Sequence, residues 1–216
     1  MLKSSVLRKL LMALSGIFLI IFLTQHLLIN LTSIISADLF NTISHFMGTN
    51  PLVQFILQPI LIAGVLFHFI MGFYLEIQNR KAAKYEYQKE KGSANSTWMS
   101  RNMITSGLVI LAFLVLHFID FWVPEMNYKY IEFLPEDPSR YYEELVHKFE
   151  NPLRVAMYCI SFVLLALHLL HGFTSSLRSM GTNKSYVSSA KTAGIVYSIG
   201  IPLGFCVIAI FHYLNH

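Results

Sequence analysis

The sequence predicts an all-α integral membrane protein with five transmembrane helices. Of its 216 residues, 55% are hydrophobic and only 13% are charged, whereas soluble domains carry about 25% charged residues. The apolar residues form five runs of about 20 residues or more, the length that crosses a bilayer. If it were soluble, a chain this apolar would expose large apolar patches. The composition therefore excludes an intrinsically disordered chain, a secreted disulfide scaffold and an ordinary cytosolic enzyme.

The predicted spans cover the chain as one transmembrane domain over residues 1–216. They are 10–34, 52–77, 103–123, 153–177 and 193–214. The first span follows Lys3, Arg8 and Lys9 and so mimics a secretory signal peptide. It is longer than the apolar region of a signal and ends in no A-x-A-like cleavage site. We therefore expect a retained helix.

The basic residues predict the orientation of the bundle. With the N-terminus inside, the inner segments hold 12 of the 16 Lys and Arg residues, and the outer segments hold the other four. Cytoplasmic segments of membrane proteins carry such an excess of positive charge. We therefore expect an inside N-terminus and an outside C-terminus. The net charge of +4 then reflects topology, and we expect no nucleic-acid partner.

Two connections are long enough to have structure of their own. The inner connection, 79–101, is basic and is expected to extend the second helix and to break at Gly92. Both connections are predicted first to be solvated surface, and the alternative for the inner one is that it also docks a soluble partner. The outer connection, 124–151, is acidic. There Asp137 and Pro138 predict an N-cap and N1 pair that opens a short amphipathic helix.

The first four predicted spans each carry a histidine within the apolar stretch, where polar residues are costly and mark candidate functional sites. At about 1.5 Å of rise per residue, His26 and His117 fall in the outer half of the bilayer. His68 and His168 fall in the inner half. The four histidines therefore form two levels, and each level takes its two histidines from two different helices.

Glycines accompany the inner histidines. Gly64, His68 and Gly72 share one face of the second span, and His168 precedes Gly172 in the same H-x-x-x-G spacing. Small residues beside an imidazole leave room for a flat ligand. Neutral imidazole is a common metal ligand, and a histidine pair from facing helices can hold haem iron. Zinc fits less well, because it needs three or four converging ligands.

The four histidines predict two haems, one held by His26 and His117 and the other by His68 and His168. One span histidine alone is more often a core residue bonded to a carbonyl, but four at matched depths are not explained in that way. No C-x-x-C-H motif is present, so we expect non-covalent haem b. His171 lies one turn from His168 and competes with it as the ligand.

The remaining histidines and both cysteines are expected to have ordinary roles. Cys159 and Cys206 lie in apolar runs and are expected to be small buried hydrophobic residues. Four histidines in outer loops or near the C-terminus are expected to be solvated: His45, His147, His212 and His216.

The residues around the four histidines match a known family. They are Q-H-L-L-I-N, F-H-F-I-M-G-F-Y, L-H-F-I-D-F-W and H-L-L-H-G-F, in chain order. With the five spans, they resemble the di-haem cytochrome b subunit of succinate dehydrogenase and fumarate reductase, the succinate:quinone oxidoreductases. The resemblance covers nearly the whole chain. In that family the first and third histidines bind the outer haem and the second and fourth bind the inner haem, the same pairing that topology predicts here.

The resemblance implies a membrane anchor in a respiratory enzyme complex of the bacterial cytoplasmic membrane. It implies two partners on the cytoplasmic side, a flavoprotein subunit with covalent FAD and an iron–sulfur subunit, and electron transfer through both haems to menaquinone. The chain has neither a G-x-G-x-x-G after a strand nor a cysteine cluster, so the dicarboxylate chemistry of the tricarboxylic acid cycle is expected on a partner chain.

Asn30 and Asp120 are the candidates for the quinone site. Each lies about one turn outward of an outer histidine, and a quinone that exchanges protons there needs a polar group. Alternatively, Asp120 accepts a hydrogen bond from a neighbouring helix. Asp38, His45 and Asn50 are weaker candidates.

Three basic residues lie at the inner ends of the first and fourth spans: Arg8, Lys9 and Arg178. They are either positive-inside residues only or partners of haem propionates and of carboxylates on the soluble subunits. Some fumarate-reducing relatives carry a glutamate two residues before the fourth histidine, for transmembrane proton transfer. Ala166 occupies that position here, which favours operation as a succinate dehydrogenase.

Two rival functions stay open. The first is the haem subunit of a hydrogenase or formate dehydrogenase. The second is a small transporter that uses histidines as a proton relay. An inverted-repeat transporter would break its helices with Gly or Pro at matching positions, and only Pro202 comes near that pattern.

Overall fold

A computed structural model describes residues 4–86, 103–179 and 184–215, and over these ranges it contains helices but no strands. The helices, in chain order, are α1 (Ser5–Ile35), α2 (Ala37–Thr49), α3 (Gln58–Glu86), α4 (Met103–His117), α5 (Val123–Tyr130), α6 (Arg140–Phe149), α7 (Pro152–Ser179) and α8 (Lys184–Asn215). One π-helical turn, Val53–Leu57, precedes α3, and another, Phe118–Trp122, joins α4 to α5.

Five of these helical stretches are long and apolar enough to cross a membrane, which confirms the predicted class and number of spans. They are Ser5–Ile35, Val53–Lys81, Met103–Tyr130, Pro152–Leu177 and Lys191–Asn215. Large apolar side chains stay exposed along them, including Ile21, Leu28 and Ile70, each more than 60% exposed. Such exposure suits a lipid surface because lipid chains are as apolar as the side chains themselves.

The transmembrane helices form a bundle in which α1 and α7 are central. α1 packs against α3, α7 and α8, and α4 packs against α7 and more lightly against α3. α7 and α8 form the most extensive pair. Buried side chains from α1, α6, α7 and α8 make one apolar core, which includes Leu27, Phe149, Tyr158, Phe162 and Phe205.

Serines define both ends of α1. The Ser4 side chain accepts a hydrogen bond from the backbone of Leu7, as an N-cap residue does. Ser36 is extended, ends α1, and accepts a bond from Leu39 N to start α2 at once. The first outer connection is therefore helical, a feature that the apolar runs did not predict.

The outer amphipathic helix exists, but it starts later than predicted. α6 begins at Arg140 and buries Leu145, Val146 and Phe149. Asp137 is not its N-cap, because the Asp137 carboxylate accepts bonds from the backbone and hydroxyl of Ser139 and closes a turn before the helix. These hydrogen bonds hold the pKa of Asp137 below its ordinary value. Aspartate side chains favour such local turns over a helical first turn.

The two outer connections lie together at one end of the bundle. α2 packs against α6, and Tyr142 N donates to the Asn41 side chain at 2.7 Å. Arg140 pairs with Glu125 and lies over the Tyr128 and Tyr141 rings at 4.0 and 4.4 Å. Burial alone would lower the pKa of Arg140, but the carboxylates raise it above its ordinary value. Their proximity agrees with the prediction that both connections are on one side of the membrane.

The inner connection is described only in part. α3 continues to Glu86, past the end of the apolar span, which confirms the predicted extension. The predicted break at Gly92 lies outside the described residues.

Candidate haem-binding site

A cavity of about 370 Å³ lies between α1, α3, α4 and α7 and is closed on one side by Phe205 and Ile208 of α8. All four histidines predicted as ligands line it: His26, His68, His117 and His168. Nearly all of its other lining side chains are apolar. The bundle therefore brings the four predicted residues to one continuous interior space.

The histidines meet in the two predicted pairs. The ring centroids of His26 and His117 are 5.8 Å apart, and those of His68 and His168 are 6.4 Å apart. The first pair joins α1 to α4, and the second joins α3 to α7. On α1, His26 lies 11 residues after Ser15, whose hydroxyl contacts His68. The levels of the two pairs are therefore about 16 Å apart along this helix.

These separations suit a metal ion between two imidazoles. A first-row metal binds imidazole nitrogen at about 2 Å, so two nitrogens on opposite sides of one ion lie about 4 Å apart. The ring centroids, each about 1 Å further out, then lie about 6 Å apart. Rotation of a ring about the line through the metal leaves this distance unchanged. The ring-centroid separations of both pairs are therefore close to the separation expected for two imidazoles that bind one iron.

The donor set does not suit a zinc site. Within the described part of the chain, no three His, Cys, Asp or Glu side chains come close enough to share one metal ion. Zinc takes three or four such ligands, whereas haem iron needs from the protein only the axial ones. The residues present fit two bis-histidine haems.

Two serines contact the inner pair, and neither the apolar runs nor the depths of the histidines predict them. Ser15 Oγ of α1 lies 3.0 Å from His68 Nδ1, and Ser106 Oγ of α4 lies 3.2 Å from His168 Nδ1. Each helix that supplies an outer histidine thus supplies a serine to an inner one. Ser15 marks the level of the inner pair on α1, as His26 marks the level of the outer pair.

A sequence signal for these serines exists. α1 carries Met12, Ser15, Gly16 and then His26, and α4 carries the same M-x-x-S-G-x9-H pattern ending at His117. The two copies lie on the first helix of the α1–α3 hairpin and on the first helix of the α4–α7 hairpin, so the pattern indicates a repeat of these two hairpins. A search for self-similarity between the first and third spans would have found both serines.

The glycines only partly follow the expectation of open space for a flat ligand. Gly16, Gly107 and Gly172 line the cavity. A Cβ on Gly107 would contact His168 Cε1 at 3.8 Å. The predicted role of Gly64 is wrong, because Phe18 fills the space beside it and a Cβ there would lie 2.5 Å from that ring. Gly72 lies against the Met12 methyl.

Aromatic side chains surround the outer pair. Phe22 stacks on His26 with centroids 5.4 Å apart, and Phe205 lies 5.6 Å from the same ring. Phe121 and Phe113 lie 5.2 and 5.9 Å from His117. The Nδ1 atom of His117 is buried and has no hydrogen-bond partner among the described residues. Packing rather than a hydrogen bond therefore positions this ring.

The two quinone-site candidates are placed differently. Asn30 lines the cavity beside the outer pair and donates to the His26 carbonyl at 2.8 Å. Asp120 is 2% exposed; one of its oxygens accepts from Arg154 and the other from the Tyr158 hydroxyl at 2.7 Å. Asp120 thus accepts hydrogen bonds from α7, which is the predicted alternative to a role in the quinone site.

The weaker quinone candidates lie in or next to α2. Asp38 is exposed, and Asn50 accepts a bond from the backbone of Leu52. His45 is 28% exposed and lies 4.0 Å from Glu136. None of these three is among the described residues that line the cavity.

His168 rather than His171 faces the second inner histidine. His168 lines the cavity and forms the 6.4 Å pair with His68. His171 is not among the described residues that line the cavity.

The basic residues at the inner ends also differ. Arg8 is half-buried and donates to the Tyr74 hydroxyl at 2.7 Å, and its buried Nε has no hydrogen-bond partner within the part of the chain that the structure describes. Lys9 is exposed. The Arg178 side chain lies outside the described residues.

The expectation that His212 is solvated is wrong. It is fully buried on α8, and its Nε2 lies 2.9 Å from Ser33 Oγ of α1. The last turns of α8 are covered by α6, whose Tyr142 ring lies 5.6 Å from the imidazole. His147 is exposed as expected. His216 lies outside the described residues.

No protein-family model, curated protein or solved structure matches this chain.

Proposed function

We propose that this chain is the di-haem cytochrome b anchor of a succinate dehydrogenase complex. Four helices bring four histidines into two pairs with axial-ligand spacing, and this observation carries the proposal. The chain passes electrons between an iron–sulfur subunit and menaquinone. The resemblance of its histidine motifs to the succinate:quinone oxidoreductases supports the assignment to that family.

Each histidine pair would hold one haem b, which supplies a one-electron redox centre. His26 and His117 would hold the haem at one level, and His68 and His168 would hold the haem at the other. The cavity lining between the levels is mostly apolar, which disfavours water there. The chain thereby offers an electron path of about 16 Å along the bundle axis.

Arg8 is the best-placed partner for a haem propionate at the inner level. Its Nε is buried without a hydrogen-bond partner, and a buried unpaired donor is costly unless an acceptor satisfies it. Arg8 lies one turn before Met12, which lines the cavity. Asn30 lies near the outer pair. It is the better candidate for the quinone site because it lines the cavity, whereas Asp120 is not among the described residues that line it.

The different depths of the pairs have an energetic consequence. Moving one electron between the levels moves charge across part of the membrane potential. A full crossing costs about 2.3 kcal/mol per 100 mV. The membrane potential therefore biases the direction of electron flow unless protons move with the electrons.

Spectroscopy of the chain purified from its native membrane tests this proposal. We expect a reduced-minus-oxidised spectrum of the b type and two haems per chain in a pyridine haemochrome assay. A colourless preparation would contradict the proposal and support the histidine-relay transporter.

The proteins that co-purify distinguish the rival electron-transfer complexes. We expect a flavoprotein with covalent FAD and an iron–sulfur protein with succinate-oxidising activity. A hydrogenase or formate dehydrogenase catalytic subunit in their place would assign the chain to that rival complex.

A further inference from the structure

The protons on the inner histidines follow from the serines that contact them. Ser15 Oγ lies 2.8 Å from the Met12 carbonyl and 3.0 Å from His68 Nδ1. A hydroxyl has one proton, and a carbonyl oxygen can only accept. The serine proton therefore goes to Met12, and the imidazole donates its own Nδ1–H to the serine.

The same arrangement recurs at the second inner histidine. Ser106 Oγ donates to the Met103 carbonyl at 2.9 Å and lies 3.2 Å from His168 Nδ1. His168 must likewise donate from Nδ1. Both imidazoles are then neutral Nδ1–H tautomers, and in each the lone pair is on Nε2.

We propose that Ser15 and Ser106 are positioning residues that hold His68 and His168 in the tautomer and orientation that one iron requires. This inference rests on the proposed function. A metal-binding imidazole commonly donates its other N–H to an acceptor, which fixes the ring and makes it a stronger electron donor. Because each serine hydroxyl already donates its proton to a backbone carbonyl, it cannot also donate to the imidazole and can only accept from it.

The outer pair is the internal comparison for this inference. His117 Nδ1 is buried and none of the described residues forms a hydrogen bond with it, so that ring lacks the acceptor that both inner rings have. The stronger donation at the inner level stabilises ferric iron and lowers the reduction potential of the inner haem. Removing the serine hydroxyls must therefore raise that potential and leave the outer one unchanged.

Redox titration of the complete complex with Ser15→Ala or Ser106→Ala tests the inference. We expect one of two haem components to shift to a more positive potential, by about a 3- to 10-fold change in its reduced-to-oxidised ratio at a fixed potential. The shifted component should be the one that His68→Ala removes.

Ser161→Ala is the matched control. Ser161 Oγ also donates to a methionine carbonyl, that of Met157 at 2.8 Å, but it is not among the described hydrogen-bond partners of a histidine. We expect both potentials to stay at their wild-type values in this variant.

A second pair of variants separates hydrogen bonding from packing. Ser15→Thr keeps the hydroxyl and Ser15→Val removes it at nearly equal volume, so threonine should keep the wild-type potential and valine should shift it. If two haems are present and neither the alanine nor the valine variants move either potential, the inference is wrong and the proposed function stands. A chain without haem overturns both.

Discussion

The two histidine pairs are oriented by different interactions. At His68 and His168, serines from neighbouring helices bind the Nδ1 atoms. At His26 and His117, stacked and tilted aromatic rings enclose the imidazoles, and His117 Nδ1 has no partner. A hydrogen bond specifies both the angle and the protonation of a ring, whereas packing specifies the angle alone.

This difference shows how a repeated hairpin can make two unequal sites. The M-x-x-S-G-x9-H pattern occurs in both α1 and α4, and each copy contributes one serine to the inner pair and one histidine to the outer pair. At the inner level each histidine thus has a serine hydroxyl as acceptor, whereas at the outer level His117 Nδ1 has none among the described residues. With haems bound as proposed, this difference would give them unequal potentials although both are held by histidine.

Substituting single histidines has the largest expected effect. Alanine at His68 or His168 should remove the inner haem, and alanine at His26 or His117 should remove the outer one, because each variant leaves one axial ligand. A pyridine haemochrome assay should find one haem per chain. His171→Ala is the control and should keep both haems; if it loses one and His168→Ala loses none, His171 is the ligand.

Replacing Asp120 should destabilise the outer pair more than the inner one. Asp120→Ala leaves Arg154 without its carboxylate and frees the Tyr158 ring, which packs 6.4 Å from His117. Because Arg154 is 30% exposed, we expect a loss of about 2 kcal/mol, less than for a fully buried pair. Equilibrium unfolding in mixed detergent measures it.

Asp38→Ala is the control for this variant, since Asp38 is exposed and lies in α2. We expect it to change the free energy of unfolding by less than about 0.5 kcal/mol. Loss of the inner haem before the outer one in Asp120→Ala would contradict the assignment of this ion pair to the outer level.

Gly64→Ala tests the packing of α1 against α3, the helix that carries His68. The added Cβ would lie 2.5 Å from Phe18, so the Phe18 ring must move, and we expect a cost of about 1–3 kcal/mol. Gly200→Ala is the matched control because nothing lies within 4 Å of its Cβ. In thermal unfolding in detergent, the midpoint should fall in Gly64→Ala and not in Gly200→Ala. Equal midpoints in the two variants would show that the Phe18 ring rotates away freely.

Tyr158→Phe has the smallest expected effect. It removes one hydrogen bond to Asp120 and keeps the ring that packs against Phe113 and His117. We expect a loss of about 1–2 kcal/mol in unfolding free energy and two haems per chain. Loss of the outer haem in this variant would show that hydrogen bonding, and not packing, holds the outer pair.

Much of the fold could be predicted because a bilayer restricts what can cross it. Apolar runs gave the number and nearly the bounds of the spans, and helix rise with alternating direction gave the pairing of His26 with His117. Loop structure was harder to predict. α2 and the start of α6 depend on the local side-chain bonds of Ser36 and Asp137, which apolar runs do not encode.

The supporting residues of the site were missed for a related reason. Ser15 and Ser106 are common small residues within apolar helices, and only contact with a histidine on another helix distinguishes them. The burial of His212 likewise depends on α6 folding back over α8. Such tertiary contacts become visible in a sequence only through repetition, as in the shared M-x-x-S-G-x9-H pattern.

The haem content of paired histidine variants tests the central claim most directly. If His26 pairs with His117 and His68 with His168, replacing both members of one pair by alanine should leave one haem per chain. Replacing one member of each pair, as in His26→Ala/His68→Ala, should leave none. A full haem retained in the cross-pair variant, or none retained in a same-pair variant, would contradict the account.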